Sequence, residues 1–144
     1  MAAINPYLNF DGKAEEAFNF YKSVFGGNFV TLQRIKEIPG GDKFPANEHN
    51  RIMHVSLPIG KGNILMGSDT MPSMGHKLAE GNNCHIAIAS DSEAEATRIF
   101  NALSAGGKVT MPLEKTFWGA LFGMFCDKFG IYWMVNYDYN QKPA

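Results

Sequence analysis

The sequence predicts an α+β fold built from two consecutive βαβββ modules. The predicted elements occur in the order strand, helix and three strands, and the same order then repeats. Both predicted helices end in a glycine pair, and the two halves match weakly along most of the chain. We therefore expect one domain over 1–144, with module one at about 1–70, a linker at about 71–82 and module two at about 83–138.

The elements of module one follow from their residue patterns. Apolar residues recur at helical spacing on one face of 13–25, which predicts an amphipathic helix. Strands are predicted at 3–10 and at 28–38, where β-branched residues are frequent, and a loop rich in proline, glycine and asparagine follows. Two more apolar segments, 51–59 and 63–68, flank a short glycine turn and predict a hairpin.

The elements of module two repeat this order. Ser90 and Glu93 have the spacing of a capping box, which predicts the start of a helix over 93–105. The strands are predicted at 84–90, at 108–113 and as a closing hairpin within 122–137. The repeat aligns Tyr7–Phe10 with His85–Ile88 on the first strand of each module.

Composition limits the classes of function. The chain has 144 residues, 45% of them hydrophobic, which is typical of a globular domain that buries a core. A net charge of −1 gives no electrostatic reason to expect nucleic acid or a membrane surface as partner. Cys84 and Cys126 are expected to be small buried apolar residues rather than disulfide partners. With no apolar run near the roughly 18 residues of a membrane span and no secretory signal pattern, we expect a soluble cytoplasmic protein.

Several common cofactor and catalytic motifs are missing from the sequence. No G-x-G-x-x-G follows a predicted strand, so we expect no dinucleotide or typical S-adenosylmethionine site. The phosphate loop G-x-x-x-x-G-K-[ST], the nucleophile motif G-x-S-x-G and the zinc motif H-E-x-x-H are also absent. The chemistry must therefore be sought in side chains that the fold brings together.

The sequence resembles the vicinal oxygen chelate superfamily, which includes glyoxalase I, bleomycin-resistance proteins and extradiol dioxygenases. The resemblance is to the PhnB-like branch and rests on 6–27, 53–69 and above all 118–137, with its W-G, F-G and D-x-F-G punctuation. It implies that each βαβββ module forms a curved half-barrel around a cavity. It also implies a homodimer. Sequences of this branch are often labelled by similarity to a 3-demethylubiquinone methyltransferase domain, but the missing glycine motif gives that label no support.

The resemblance also implies where a metal ion would be held. In metal-using members, four ligands come from the first and last strand of each module. The corresponding positions here are Tyr7 (or Pro6, if the alignment is shifted by one), His85, Met66 and Met134. Methionine is a soft thioether that holds Mg, Mn, Fe(II) or Zn poorly, so only His85 is a good ligand. We therefore expect no metal cofactor, and a divalent ion held through His85 is the alternative.

Two histidines are the candidate catalytic residues. His85 lies on a predicted strand, and an imidazole with an ordinary pKa near 6.5 is suited to general base catalysis. His54 could share a cavity with Ser56 and Met66 by strand alternation. For both, a hydrogen-bonded core residue is the competing interpretation.

A small-molecule site is predicted from the side chains that strand alternation places together. Met66 and Met134 could form an adaptable apolar floor or simply fill gaps in the core. Trp118 could stack on a flat ligand, or it could cover a sheet edge or a dimer contact. The predicted ligand-binding residues are Tyr7, Asn9, Ser56, Met66, Trp118, Tyr132, Met134 and Asn136.

Three functions remain open at this stage. The first is a metal-free homodimer that binds a small organic molecule, in the manner of bleomycin-resistance proteins. The second is an enzyme of glyoxalase or dioxygenase type that uses a divalent ion with His85 and either His54 or Glu48. The third is a structural or regulatory dimer without a ligand.

Overall fold

The computed structural model describes residues 2–140 and divides them into two compact units, with the boundary between Ala79 and Glu80. Unit one contains β1 (Tyr7–Phe10), α1 (Ala14–Phe25), β2 (Thr31–Arg34), β3 (Ile52–Ile59) and β4 (Asn63–Asp69). Unit two contains β5 (Ile86–Ala89), α2 (Glu93–Ser104), β6 (Lys108–Lys115), β7 (Ala120–Cys126) and β8 (Tyr132–Asp138). Each unit is a βαβββ module, so the predicted α+β fold class is confirmed.

The two sheets have the same topology. The strand order is β1-β4-β3-β2 in unit one and β5-β8-β7-β6 in unit two. In each unit the first strand pairs in parallel with the last strand, and the remaining pairs are antiparallel. Both sheets are therefore open, with β2 and β6 at one edge and β1 and β5 at the other.

One face of each sheet packs against its helix. The buried side of α1 carries Ala14, Ala17, Phe18, Tyr21 and Val24, and that of α2 carries Ala96, Ile99, Phe100 and Leu103. A glycine lets a helix phenylalanine approach each sheet closely. A β-carbon at Gly67 would lie 2.7 Å from Phe18, and one at Gly123 would lie 2.6 Å from Phe100.

Buried aspartates connect the backbone in both units. In unit one, Asp69 accepts hydrogen bonds from the N–H groups of Ala14 (3.0 Å) and Ile52 (2.8 Å). This carboxylate satisfies a free donor at the start of α1, where the N-cap residue Lys13 makes no side-chain cap. It therefore connects the last strand to the helix and to β3.

In unit two, the buried aspartate is Asp127, in the turn between β7 and β8. It accepts hydrogen bonds from the N–H groups of Phe129 (2.8 Å) and Ile131 (3.0 Å) and from the indole of Trp133 (2.8 Å). Gly130 has a φ of 90°, which favours glycine, so the predicted turn after Cys126 is confirmed.

Three local predictions were wrong. The strand predicted at 28–38 extends only over β2, because its register with β3 shifts after Gln33 and a 3-10 helix, Ile35–Glu37, follows. The helix cap is Ser92, whose hydroxyl accepts the N–H of Glu95, while the Glu95 carboxylate accepts the N–H of Asp91. Ser90, just after β5, is buried and donates its N–H to the carbonyl oxygen of Asn136 on β8. Cys84 is exposed, because β5 begins only at Ile86.

Candidate functional site

The side of each sheet away from its helix, here called the distal face, carries the predicted site residues. Because Gly67 faces Phe18 of α1, its neighbour Met66 lies on the opposite side of β4. Gly123 faces Phe100 of α2 in the same way, so Met124 and its cross-strand partner Met134 lie on the distal face of unit two. Strand alternation thus places Met66 and Met134, the methionines at the expected ligand positions, away from the helices.

The distal face of unit one has a polar centre. Met66 is flanked by Tyr7 on β1 and Ser56 on β3, in one row across three strands. Tyr7 Oη lies 3.1 Å from Nδ1 of His54, and the two rings stack with their centroids 5.6 Å apart at 24°. The phenol and the imidazole therefore form a hydrogen-bonded pair that spans β4.

The other predicted residues of unit one are less enclosed. Tyr7 is 44% exposed, and Asn9 is exposed at the outer strand. Ser56 is buried beside Met66. The distal face of unit one thus offers hydroxyl, phenol, amide and imidazole groups around one thioether.

The distal face of unit two is rich in sulfur. Met134 on β8 lies between Ala87 on β5 and Met124 on β7, and Met124 lies opposite Met111 on β6. We call Met111, Met124 and Met134 the thioether row. Met124 and Met134 are partly buried, and Met111 is 44% exposed. An unbranched, polarisable side chain at three adjacent positions makes this part of the face apolar and adaptable.

His85 lies just before β5, and the residue beside Met134 is Ala87. Tyr7 is the residue beside Met66, so the alignment that matched Tyr7 with His85 is shifted by two positions. The ring of His85 meets that of Tyr132 edge to face, with centroids 5.3 Å apart. His85 therefore belongs with the start of β8 rather than with the methionine at its centre.

Tyr132 and Cys126 line an open pocket of about 320 Å³ together with Glu80, Gly81, Asn82 and Gly130. Burial, with the nearby charges of Asp127 and Glu80, raises the pKa of the Cys126 thiol, and a hydrogen bond with Tyr132 partly opposes this rise. The pKa of Tyr132 is also raised, first by the charge on Cys126, then by burial, and also by Glu80. The thiol and the phenol therefore stay protonated near neutral pH.

Trp118 and Asn136 extend the distal face of unit two toward its other end. Phe122 lies opposite Asn136, and Trp118 contacts the ring of Phe122 with centroids 6.3 Å apart. Trp118 is 56% exposed, and the neighbouring Phe117 is 97% exposed. Because these rings are exposed, Trp118 is compatible with both interpretations: stacking on a flat ligand, or covering a sheet edge or a dimer contact.

Glu48 has a structural role in unit one. Its carboxylate accepts hydrogen bonds from the Ser73 N–H (2.8 Å) and hydroxyl (2.5 Å). These bonds lower the pKa of Glu48 despite its burial, and Arg51 lowers it further. The hydrogen bonds between Glu48 and Ser73 join the 3-10 helix Ala46–Glu48 to the 3-10 helix Pro72–Met74.

The donor set does not fit a hard divalent ion. At three of the four expected ligand positions the side chains are a phenol and two thioethers, from Tyr7, Met66 and Met134. Ala87 lies where the fourth ligand would be. Within residues 2–140 no three histidine, cysteine, aspartate or glutamate side chains are grouped so that they could hold a metal ion. We therefore assign no step of chemistry to a metal.

Sequence reasoning missed part of this site. Met111 and Met124 carried a recognisable signal, since both are methionines in predicted strands: Met124 pairs with Met134, and Met111 pairs with Met124. Cys126 was interpreted as a core residue, although it is only partly buried. Glu80 and Asn82 come from an irregular segment that has no periodic pattern, so no sequence signal could have placed them in the pocket.

The paired βαβββ units define a class of protein, and comparison with known families identifies the same class. The chain belongs to the Glyoxalase/Bleomycin resistance protein/Dioxygenase superfamily, whose sequence model matches residues 3–135. The resemblance noted from the sequence is therefore confirmed.

Three relatives are similar over nearly the whole chain. The crystal structure of protein PA1353 from Pseudomonas aeruginosa has 42% identity and a TM-score of 0.85, covering 96% of this chain and 98% of that one. Protein YjdN from Escherichia coli K12 is 31% identical over 92% of this chain and 93% of its own. A PhnB protein from Bacillus cereus, named as a candidate 3-demethylubiquinone-9 3-methyltransferase, has 26% identity and a TM-score of 0.76, covering 94% and 99%. The PhnB-like resemblance is thus supported by structure as well.

The described residues give one further result on location. No helix between residues 2 and 140 is both long and apolar enough to cross a lipid bilayer.

Proposed function

We propose that this protein binds a small, partly apolar organic molecule without a metal ion, and that it does so as a homodimer. The single observation that carries the proposal is the presence of methionine at the centre of both distal faces, at Met66 and Met134. A thioether binds hard divalent ions poorly but packs well against apolar and aromatic groups. The surrounding hydroxyl, phenol and amide groups supply the polar minority that small-molecule sites need.

The absence of a resident metal is tested by elemental analysis of protein purified without chelators. We expect far less than one Ni, Zn, Mn or Fe per chain. Near-stoichiometric metal would overturn the metal-free proposal and favour a divalent-metal enzyme of glyoxalase or dioxygenase type. The observation that favours this second candidate is His85, whose imidazole ring contacts the ring of Tyr132 at the start of β8.

Binding itself is tested by a thermal-shift screen of aromatic and amphipathic molecules. A ligand present at 100 times its dissociation constant stabilises the folded state by about 2.7 kcal/mol. A library that produces no shift would favour a structural or regulatory dimer instead.

The assembly and location belong to the same proposal. Sedimentation or light scattering is expected to give twice the mass of the 144-residue chain, and a monomer at micromolar concentration would contradict the dimer. Both cysteines, Cys84 and Cys126, are free, which favours a reducing compartment such as the cytoplasm.

A further inference from the structure

The pocket beside Tyr132 has a chemistry of its own. Its volume of about 320 Å³ falls at the lower end of the range found for ligand pockets. Four of its six lining residues carry polar side chains: a carboxylate, an amide, a thiol and a phenol. None of the lining residues is a lysine or arginine.

The charge of the pocket is set by Glu80. This side chain lies against the turn between β7 and β8, since a β-carbon at Gly130 would be 3.1 Å from Glu80 Oε1. Burial and the charge of Asp127 raise the pKa of Cys126, and the charge on Cys126 and burial raise that of Tyr132; Glu80 adds a smaller rise at each group, so its carboxylate contributes negative potential at both. A negative potential at two separate groups favours a cationic ligand over an anionic one.

Two lysines of unit two lie beside lining residues but are not part of the lining. Lys108 is opposite Cys126 on the edge strand β6 and is exposed. Lys128 is exposed in the turn, with its ammonium 5.5 Å from the ring centroid of Phe129. Lys108 is a lysine whose strand position faces a lining residue, Cys126, so it is included in the test.

The remaining groups suit an ammonium ion. An ammonium has three N–H donors, and the pocket offers acceptor oxygens on Glu80, Asn82 and Tyr132. The rings of Tyr132 and His85 meet edge to face at 5.3 Å, and an aromatic face attracts a cation. Oxygen acceptors and a ring thus converge on one small volume.

The thioether row continues from this pocket along the distal face. Cys126 and Met124 are two residues apart on β7, and Tyr132 and Met134 are two residues apart on β8, so each pair shares a face. A ligand with its polar end in the pocket would rest its body on methionine side chains.

We propose that this pocket binds the protonated amine of an amphipathic small molecule, whose apolar part lies on the thioether row. The inference rests on the proposed small-molecule function and specifies its ligand class: an organic amine with a compact apolar group. Glu80 supplies the charge, Tyr132 and Asn82 supply further acceptors, and Met124 and Met134 supply the apolar surface.

The test uses the full chain and three probes of similar shape: phenethylamine, phenethyl alcohol and hydrocinnamate. Binding is followed by NMR of ¹³C-labelled methionine methyl groups, assigned by single Met→Leu variants. We expect phenethylamine to bind most tightly and to shift the Met124 and Met134 signals, while those of Met53 and Met74 in unit one stay unchanged. We also expect its affinity to fall as salt is added.

Three variants isolate the charge. Glu80→Gln keeps the shape of the side chain, and we expect it to weaken phenethylamine binding about fivefold while the alcohol changes by less than about twofold. Glu37→Gln, an exposed glutamate of unit one, makes the same change in net charge and is expected to have no effect. Lys108→Gln removes the lysine opposite Cys126 and is expected to strengthen amine binding slightly.

The outcomes separate this inference from the proposed function. Equal binding of amine and alcohol, tighter binding of hydrocinnamate, or an amine affinity that Glu80→Gln leaves unchanged would overturn the amine pocket. In each case binding of an organic molecule would still stand. If none of the three probes moves any methionine signal, the inference also fails, and the thermal-shift screen then decides the proposed function independently.

Discussion

The two units have the same backbone plan but different chemistry on their distal faces. In unit one, Met66 is surrounded by Tyr7, His54 and Ser56, with a phenol–imidazole hydrogen bond. In unit two, Met134 is one of three methionines in a row. Because a distal side chain does not have to fit the helix, it can change without disturbing the core. The repeat thus preserves what holds each sheet to its helix, and the other face differs between the two units.

The connections differ as well. The link between β2 and β3 in unit one contains three short 3-10 helices, whereas β6 and β7 in unit two are joined by only 116–119. The longer link carries Glu48, which binds Ser73 beyond the end of β4. Unit two has no equivalent of this connection among its described residues.

The largest expected effect concerns the buried aspartates, because both units depend on one. Asp127→Ala leaves three N–H donors without their acceptor and is expected to lower the free energy of unfolding by about 3 to 5 kcal/mol. Asp69→Ala leaves two donors and is expected to cost about 2 to 4 kcal/mol. Urea unfolding followed by circular dichroism measures both.

Two features sharpen this test. Both tryptophans, Trp118 and Trp133, are in unit two, so fluorescence reports on that unit and should follow Asp127→Ala most strongly. Asp42→Ala, at an exposed position, is the control and is expected to stay within about 0.5 kcal/mol. Effects no larger than this control would mean that the buried aspartates do not stabilise the units in which they lie.

The next effect concerns the two close glycines. Gly67→Ala brings a β-carbon against Phe18 and the carbonyl oxygen of Leu8, and Gly123→Ala brings one against Phe100 and the backbone of Leu113. Each is expected to destabilise the protein by about 1 to 3 kcal/mol. Thermal unfolding measures the loss, and Gly81→Ala, with its nearest contact at 3.8 Å, is the matched control. Adding Phe100→Leu to Gly123→Ala is expected to recover part of the stability. If the two changes simply add, the proposed contact is wrong.

The two cysteines should differ in reactivity. Cys84 is exposed, whereas burial and the charges of Asp127 and Glu80 raise the pKa of Cys126 and so reduce its thiolate fraction at a given pH. At about pH 8 we expect a disulfide reagent to modify Cys84 at least about tenfold faster. Raising the pH should narrow the difference. Cys84→Ser and Cys126→Ser isolate each rate, and a faster Cys126 would contradict the described environment.

The smallest effect concerns the connection between Glu48 and Ser73 in unit one. Hydrogen bonds from Ser73 lower the pKa of Glu48 below its ordinary value of 4.5. A carboxylate with a lowered pKa stabilises the fold above its ordinary pKa, and this contribution is lost as the pH falls through the folded value. The urea midpoint of Ser73→Ala should therefore lie below that of the wild type at about pH 7. The two midpoints should approach each other at about pH 3. A difference that grows in acid would reverse the assigned sign.

Most of the fold could be predicted because its signals are local. The helical periodicity of α1 and α2 and the glycine turns gave the βαβββ order directly. The errors came where tertiary contacts decided the outcome. Ser90 looked like a helix cap, but pairing of β5 with β8 buries it, and Ser92 performs that role. The N–H that Asp69 satisfies at the start of α1 is 55 positions away, beyond the reach of any local pattern.

The site could be predicted only in part, for the same reason. Strand alternation correctly assigned Met66 and Met134 to the sides away from the helices. It could not fix the register between strands, and so His85 was placed two positions from where the pairing puts it. Whether the predicted residues bind a ligand remains a prediction.

The parallel pairing of first and last strands has a kinetic consequence. Tyr7 meets Met66, and Ile86 meets Trp133, so each sheet is completed by residues far apart along the chain. The β3–β4 and β7–β8 hairpins join near neighbours and close small loops, which form faster. Each outer strand should therefore dock last, and during synthesis the first unit has all its strands once Asp69 has left the ribosome.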